Sequence, residues 1–156
     1  MTRFDKFIAI VFENEGFISN NPNDKGGLTK YGISKSAYPN VDIINLTEDD
    51  AKLIYKRDYY DRCKIDLITS ELLAVQLFDF AVNAGVGRAC RMLQSIIGTK
   101  QDGIIGSTSL SVINAGDYSL RYIQARIIYY KQIATGRNIV FLKGWLNRVS
   151  KTTNLI

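Results

Sequence analysis

Apolar residues at helical spacing predict a helix at the start of the chain. Thr2 and Asp5 have the spacing of a capping box, in which each side chain satisfies a backbone amide of the other residue. Gly16 is expected to end the helix, because a residue without a Cβ readily adopts the left-handed conformation that follows a helix. The apolar face of this helix consists of Phe4, Phe7, Ile8, Val11 and Phe12.

Helical patterns also dominate the rest of the chain after residue 46. Thr47 followed by three acidic residues is typical of a helix start and predicts a helix to about Asp61. Residues 70–82 are apolar on nearly every side and predict a buried central helix. Further helices are predicted at about 87–97, 107–113, 118–135 and 141–149. The expected fold class is therefore mainly α, a helical bundle around a buried central helix.

A polar segment interrupts this pattern after the first helix. Residues 20–27, with the sequence NNPNDKGG, predict a turn. Spaced apolar residues after the turn allow a short strand, so a small β-hairpin is predicted near residues 17–36. Such a hairpin would place Asp24 and Thr29 opposite Glu15. Two carboxylates and a hydroxyl would then face one cleft.

Glu15 is the first candidate for chemistry. At about 100° per residue it lies roughly 20° from Phe4 and Ile8, on the apolar face. Glu13 lies about 200° from Val11 on the same wheel and should face solvent. A carboxyl on an apolar face is costly unless it is paired or protonated, so Glu15 is suited to donating a proton. The alternative is that Glu15 forms a salt bridge with an arginine and only fixes the packing.

The helix end and the predicted hairpin together carry one motif. Its residues are Glu15, Gly16, Phe17, Pro22, Asp24, Gly26, Gly27, Thr29, Tyr31, Gly32 and Ile33. This set resembles the signature of glycoside hydrolase family 108, peptidoglycan-cleaving muramidases found in phage endolysins and in bacterial proteins sometimes labelled secretion activators. The order Glu15, Asp24, Thr29 is also similar to the catalytic set of phage-type lysozymes.

The resemblance extends into the second half of the chain. Residues 87–89, 93–94, 102–103, 106 and 108–110 look like the family's predicted peptidoglycan-binding segment. It implies one lysozyme-like domain over 1–156, with a catalytic portion at 1–85 and a helical peptidoglycan-binding portion at 86–156. The chain departs from the family at Phe17, where a second glycine and a tyrosine are usual, and at Lys25, where a proline is common. Neither departure touches the chemistry that the resemblance implies.

The resemblance also implies roles for single residues. Glu15 would be the general acid that cleaves the β-1,4 bond between N-acetylmuramic acid and N-acetylglucosamine, with inversion. Asp24 would stabilise the developing charge or activate water, and Thr29 would orient that water. Tyr31, within the motif, and Asn83, at the end of the predicted central helix, would contact substrate, although an asparagine close to a glycine more often ends a helix than lines a cleft. No metal or cofactor is required.

Two other functions remain open at this stage. A lytic transglycosylase would use one glutamate and a hydroxyl of the substrate in place of water, and Asp24 and Thr29 argue against it. A non-catalytic module that binds the wall or assists secretion would keep the fold without the chemistry. The presence of Glu15, Asp24 and Thr29 together argues against that function.

Composition narrows the list of partners and mechanisms. The net charge of +5 favours an anionic partner, which peptidoglycan and nucleic acid both are. The basic residues are scattered, so nucleic-acid binding is not predicted. Histidine is absent, which excludes Ser-His-Asp, Cys-His and His-ligated zinc sites. Cys63 and Cys90 are expected to be small buried side chains rather than a disulfide.

The aromatic residues of the second half are expected to serve the core. Their rings offer flat apolar surfaces to a sugar, but their helical spacing favours packing. They are Tyr122, Tyr129, Tyr130 and Trp145.

The N-terminus has no continuous apolar stretch of the kind found in export signals, because Asp5 and Lys6 interrupt it. No stretch reaches the length of a membrane span, so stable membrane insertion is not expected. The sequence therefore predicts synthesis in the cytoplasm, with access to the wall through a lesion made by a holin or a signal-independent secretion route. A monomer is favoured.

Overall fold

A computed structural model of the protein describes residues 1–15, the backbone of 18–19, and residues 27–154. Gly16, Phe17 and residues 20–26, which include Asp24, lie outside the described residues. The chain forms two compact units, Met1–Asp58 and Tyr59–Ile156. The division of function at residue 85 stays a prediction.

The first unit contains two helices and a small sheet. Its elements are α1 (Arg3–Glu15), β1 (Ile18–Ser19), β2 (Thr29–Lys30), β3 (Ile33–Ser34) and α2 (Glu48–Tyr55). The three strands are antiparallel in the order β1-β2-β3. The predicted hairpin is confirmed, and it pairs with one further short strand.

The capping box at the start of α1 is present as predicted. Asp5 N donates to Thr2 Oγ1 at 3.1 Å, and Thr2 N donates to Asp5 Oδ2 at 2.8 Å. The predicted apolar face is buried at Phe7, Ile8, Val11 and Phe12, while Phe4 is only half-buried. Glu13 is exposed, as its position on the helical wheel predicts.

A second capping box begins α2. Asp50 N donates to Thr47 Oγ1 at 3.1 Å, and Thr47 N donates to Asp50 Oδ2 at 3.2 Å. The predicted helix to about Asp61 is present, but its last part is a π-helical turn, Lys56–Tyr60. Hydrogen bonds from residue i to i+5 define such a turn, and apolar spacing does not distinguish it from an α-helix.

The second unit is helical throughout its described part. Its elements are a 3₁₀ turn (Ile65–Leu67), α3 (Glu71–Ala84), α4 (Val86–Ile97), α5 (Ser107–Ala115), α6 (Ser119–Ile133), a second 3₁₀ segment (Gly136–Phe141) and α7 (Leu142–Thr153). Helix α3 contacts α4, α6 and α7. Most of its residues are buried. The prediction of a mainly helical fold around a buried central helix is confirmed.

Helix α7 is longer than the sequence predicts. Its apolar pattern ends at Val149, but the helix continues to Thr153. The two threonines at its end are satisfied inside the fold, because Gln76 Nε2 donates to Thr152 Oγ1 at 2.9 Å and to Thr153 Oγ1 at 3.0 Å. Polar residues that suggest a helix end are here part of a buried contact with α3.

The core of the second unit includes both cysteines and two of the tyrosines considered above for sugar stacking. Cys63 and Cys90 are buried and no disulfide joins them, as expected. Tyr122 and Tyr130 are fully buried, which confirms that they serve packing rather than sugar stacking. Within the part of the chain that the structure describes, no helix has the length and hydropathy needed to cross a membrane.

Candidate active site

Glu15 is the last residue of α1, and its side chain is half-buried. A Cβ atom built on Gly32 would lie 3.0 Å from Glu15 Cβ and 3.1 Å from Glu15 Cγ. The side chain of Glu15 therefore packs against the backbone of the turn between β2 and β3. The structure brings together these two parts of the motif, which are far apart in sequence.

The turn between β2 and β3 has a special backbone. Lys30 pairs with Ile33, so the loop has only two residues, Tyr31 and Gly32. Their φ angles are 52° and 75°. Positive φ at both loop residues is the requirement of a type I′ turn, whose twist suits a hairpin. Glycine adopts this conformation without strain, whereas Tyr31 must be held in it.

Tyr55 of α2 holds the turn. Its hydroxyl donates to the carbonyl oxygen of Tyr31 at 3.0 Å. The Phe12 ring contacts the rings of Tyr31 and Tyr55, with centroids 5.8 and 5.7 Å apart. Tyr55 Oη would lie only 2.3 Å from a Cβ on Gly32. The turn is thus clamped between α1 and α2 at a position where no side chain fits.

Thr29 and Tyr31 flank Lys30, the last residue of β2. Thr29 pairs with Ser34, and side chains alternate along a strand, so Thr29 and Ser34 lie on the face opposite the buried Ile33. Thr29 Oγ1 donates to Gly27 O at 3.4 Å. The ring of Tyr31 is half-buried. Asp24, the second predicted carboxylate, lies outside the described residues, so its position relative to Glu15 stays a prediction.

Asn83 belongs to the second unit, where it is exposed near the end of α3. Its Oδ1 accepts a hydrogen bond from the Tyr130 hydroxyl at 2.7 Å. Tyr130 Oη in turn accepts from Arg126 Nη2 at 3.4 Å. Burial raises the pKa of Tyr130, so the hydroxyl keeps its proton.

The direction of these hydrogen bonds determines the orientation of the Asn83 side-chain amide. A guanidinium has no acceptor, so the Tyr130 proton cannot go to Arg126 and goes to Asn83 Oδ1. The amide nitrogen of Asn83 must then point away from Tyr130. Within the described residues this nitrogen donates no hydrogen bond, and its two N–H groups are available to a ligand.

Arg126 is itself held by a buried ionic cluster. Asp79 Oδ2 accepts from Arg126 Nη2 at 2.7 Å, and Asp79 Oδ1 accepts from Arg148 Nε at 2.9 Å. Arg126 also donates to Gln76 Oε1. These groups join α3, α6 and α7. Removing one charge from such a cluster leaves its partner buried and unpaired, so the cluster is structural support for the Asn83 end of α3.

Sequence analysis missed Gly32 and Tyr55 as determinants of the site. Gly32 belongs to the recognised motif, but its contact with Glu15 is visible only in three dimensions. Tyr55 lies on the apolar side of α2 and is almost fully buried, as an ordinary core residue would be. The available signal was its hydroxyl, because a buried tyrosine usually finds a hydrogen-bond partner.

Tyr55→Phe is expected to lower the free energy of unfolding by about 1 kcal/mol, since it removes one hydrogen bond. It is also expected to reduce activity on peptidoglycan, because the turn that contacts Glu15 loses its anchor. Tyr122→Phe is the matched control, because the Tyr122 hydroxyl also donates to a backbone carbonyl, that of Ala89, at 3.0 Å. Equal activity losses in the two variants, measured at matched stability, would contradict an anchoring role for Tyr55.

Comparisons with known proteins match both halves of the chain to known families. A family model described as glycosyl hydrolase 108 matches residues 8–85, and one described as predicted peptidoglycan domain matches residues 88–150. A solved structure titled "Structure of Brucella abortus SagA" superposes with a TM-score of 0.80 and 31% sequence identity, covering 97% of this chain and 91% of that one. No curated protein sequence matches.

The two family segments meet between residues 85 and 88, and the first contains Glu15, Asp24 and the Tyr31-Gly32 turn. The identity and coverage of the solved relative extend the likeness over nearly the whole chain. The protein therefore belongs to the glycosyl hydrolase 108 family and carries a peptidoglycan domain in its second half.

Proposed function

We propose that this protein hydrolyses the β-1,4 bond between N-acetylmuramic acid and N-acetylglucosamine in peptidoglycan. The observation that carries the proposal is the position of Glu15. Its half-buried side chain ends α1, and the Cβ and Cγ atoms that carry the carboxyl pack against Gly32 of the turn. A fixed carboxyl of this kind is what general-acid cleavage of a glycoside needs.

In the proposed mechanism Glu15 protonates the oxygen of the leaving sugar as the bond from that oxygen to the anomeric carbon breaks. Asp24 takes a proton from a water molecule that attacks the anomeric carbon from the opposite face. Thr29 orients this water. The carboxyls of Glu15 and Asp24 should then lie about 6.5–9.5 Å apart, the separation of inverting enzymes.

Tyr31 and Asn83 are proposed as contacts to the glycan. The half-buried ring of Tyr31 offers an apolar surface to the CH groups of a sugar. The outward amide nitrogen of Asn83 is suited to donate to an acetamido carbonyl or a hydroxyl of the glycan. Neither role requires a metal or a cofactor.

The net charge of +5 supports the choice of partner, because the wall is rich in acidic groups. We further propose that the protein acts on the wall after release through a membrane lesion or a signal-independent secretion route.

Product analysis tests the reaction. Purified peptidoglycan digested with the protein should yield ordinary reducing ends at N-acetylmuramic acid, and the new end should first appear as the α-anomer by proton NMR. A 1,6-anhydro product would instead identify a lytic transglycosylase. An initial β-anomer would contradict inversion. Binding to the wall without any released sugar would identify a non-catalytic module.

A further inference from the structure

A surface pocket of about 470 Å³ lies in the second unit between α4, α6 and the loop that follows α4. Its polar lining consists of Arg88, Arg91, Ser95 and Gln101. Among the described residues that line it, none is acidic, so the pocket carries two positive charges. The pocket falls within the residues that match the peptidoglycan domain.

Arg91 is placed by two glycines. A Cβ on Gly87 would lie 3.3 Å from Arg91 Nη1 and Nη2, and a Cβ on Gly103 would lie 3.1 Å from Nη1. The guanidinium therefore rests against bare backbone where side chains would displace it. Gly103 has a φ of 78°, a conformation that glycine adopts without strain. In the described part of the chain Arg91 has no hydrogen-bond acceptor.

Arg88 is fixed from the other side. Its Nη1 donates to the Tyr129 hydroxyl, and its Cζ lies 5.1 Å from the centre of the Tyr129 ring. Asp102, in the loop that follows α4, is already engaged, since its Oδ1 accepts from Gln94 Nε2 at 2.8 Å and from Ile104 N at 3.0 Å. Two positioned guanidiniums thus lack an acid among the groups that line the pocket.

The rest of the lining limits the ligand. Met92, Ile96 and Ala125 supply a small apolar surface beside the two arginines. Guanidinium groups bind carboxylates with paired hydrogen bonds, and an apolar surface accepts short aliphatic side chains. A peptide that combines free carboxylates with alanyl methyl groups satisfies both requirements. The stem peptide of peptidoglycan has this composition, whereas the glycan strand lacks the alanyl groups.

We propose that this pocket binds the acidic stem peptide of peptidoglycan, with Arg91 and Arg88 holding a carboxylate. The proposal rests on peptidoglycan being the partner and adds a second point of contact, to the peptide, away from the bond that is cleaved. With such a site the protein binds wall that carries peptides more tightly than it binds glycan without peptides.

Titration of the full-length protein with a synthetic stem tetrapeptide, followed by NMR or calorimetry, tests the proposal. Arg91→Gln should weaken binding about tenfold or more, the expected loss of a hydrogen bond to a charged group. Ala125→Glu should also abolish binding, because it places a carboxylate of the protein in the pocket. Arg137→Gln, at an exposed arginine that does not line the pocket, should leave the dissociation constant unchanged. Circular dichroism must show all variants folded.

Three results with the peptide would overturn the proposal. They are absence of binding by the wild-type protein, unchanged binding in Arg91→Gln and Ala125→Glu, and equal binding of the same peptide with its carboxylates amidated. Inorganic phosphate binding as tightly as the peptide would indicate a general anion site and would also overturn it.

Assaying the wild-type protein on glycan stripped of its peptides tests the hydrolase proposal independently of the peptide pocket. Cleavage without peptide binding would refute only the pocket. Peptide binding without cleavage of any substrate would refute only the hydrolase.

Discussion

Replacing Glu15 by glutamine is expected to reduce the release of reducing ends from peptidoglycan by about 10²–10⁴-fold, the contribution of a positioned general acid. The amide has nearly the shape of the carboxylic acid, so the contact with Gly32 is kept, but it cannot deliver the proton that the leaving sugar oxygen requires. The loss should appear in kcat, because the acid acts in the transition state rather than in binding.

Glu13→Gln is the matched control for this measurement. Glu13 lies two residues earlier in the same helix and has the same charge, but it is exposed. Activity near that of the wild type is expected, and circular dichroism and thermal unfolding should match for both variants. Full activity of Glu15→Gln would show that another residue is the general acid. An equal loss in Glu13→Gln would mean that net charge, not the position of Glu15, sets the rate.

The helices were predictable because their signals are local. The capping boxes of Thr2 with Asp5 and Thr47 with Asp50 each lie within one turn, and the structure forms both. The central helix was predictable for a different reason. A run of 13 residues with apolar groups on nearly every side must be surrounded by other elements.

Contacts between distant residues were not predictable. The polar turn and the spaced apolar residues after it predict a hairpin opposite Glu15, but nothing in the sequence reveals that Gly32 contacts Glu15 or that the Tyr55 hydroxyl donates to the Tyr31 carbonyl. The same limit applies inside α3. Gln76 and Asp79 interrupt the apolar run, and only the fold shows that Arg126 and Arg148 satisfy them.

The structure describes some of the predicted site residues and not others. Glu15 and Tyr31 meet at one turn, and Asn83 gains a defined amide orientation from Tyr130. Asp24 remains known from the sequence motif alone. Residues 20–26 around it have the sequence NNPNDKG, which lacks the apolar periodicity from which a position in a fold is predicted.

Gly32→Ala is expected to lower the free energy of unfolding by about 3 kcal/mol and the rate of cleavage by about 10²-fold. A φ of 75° costs a residue with a Cβ roughly 1–2 kcal/mol. The new methyl group would also overlap Tyr55 Oη at 2.3 Å, which breaks the hydrogen bond to Tyr31 and costs about 1 kcal/mol more. A displacement of Glu15 by about 1 Å accounts for the loss in rate.

Gly98→Ala separates the loss of stability due to backbone strain from the loss due to overlap with Tyr55. Gly98 has almost the same φ, 74°, but a Cβ there would meet nothing within 4 Å. This variant should lose about 1–2 kcal/mol of stability from backbone strain alone and keep its activity below the unfolding temperature. Urea unfolding and initial rates of reducing-end release are the two measurements.

The double variant Tyr55→Phe/Gly32→Ala tests whether the Tyr55 hydroxyl is the group that a side chain at position 32 would overlap. Removing the hydroxyl opens the space that the methyl group needs, so Gly32→Ala should cost less stability in the Tyr55→Phe background than in the wild type, by about 1 kcal/mol. Activity should recover only in part, because the anchor of the turn is absent and the alanine still lies against Glu15. Strictly additive losses would show that Tyr55 does not exclude side chains at position 32. Full activity in Gly32→Ala alone would show that the turn does not position the acid.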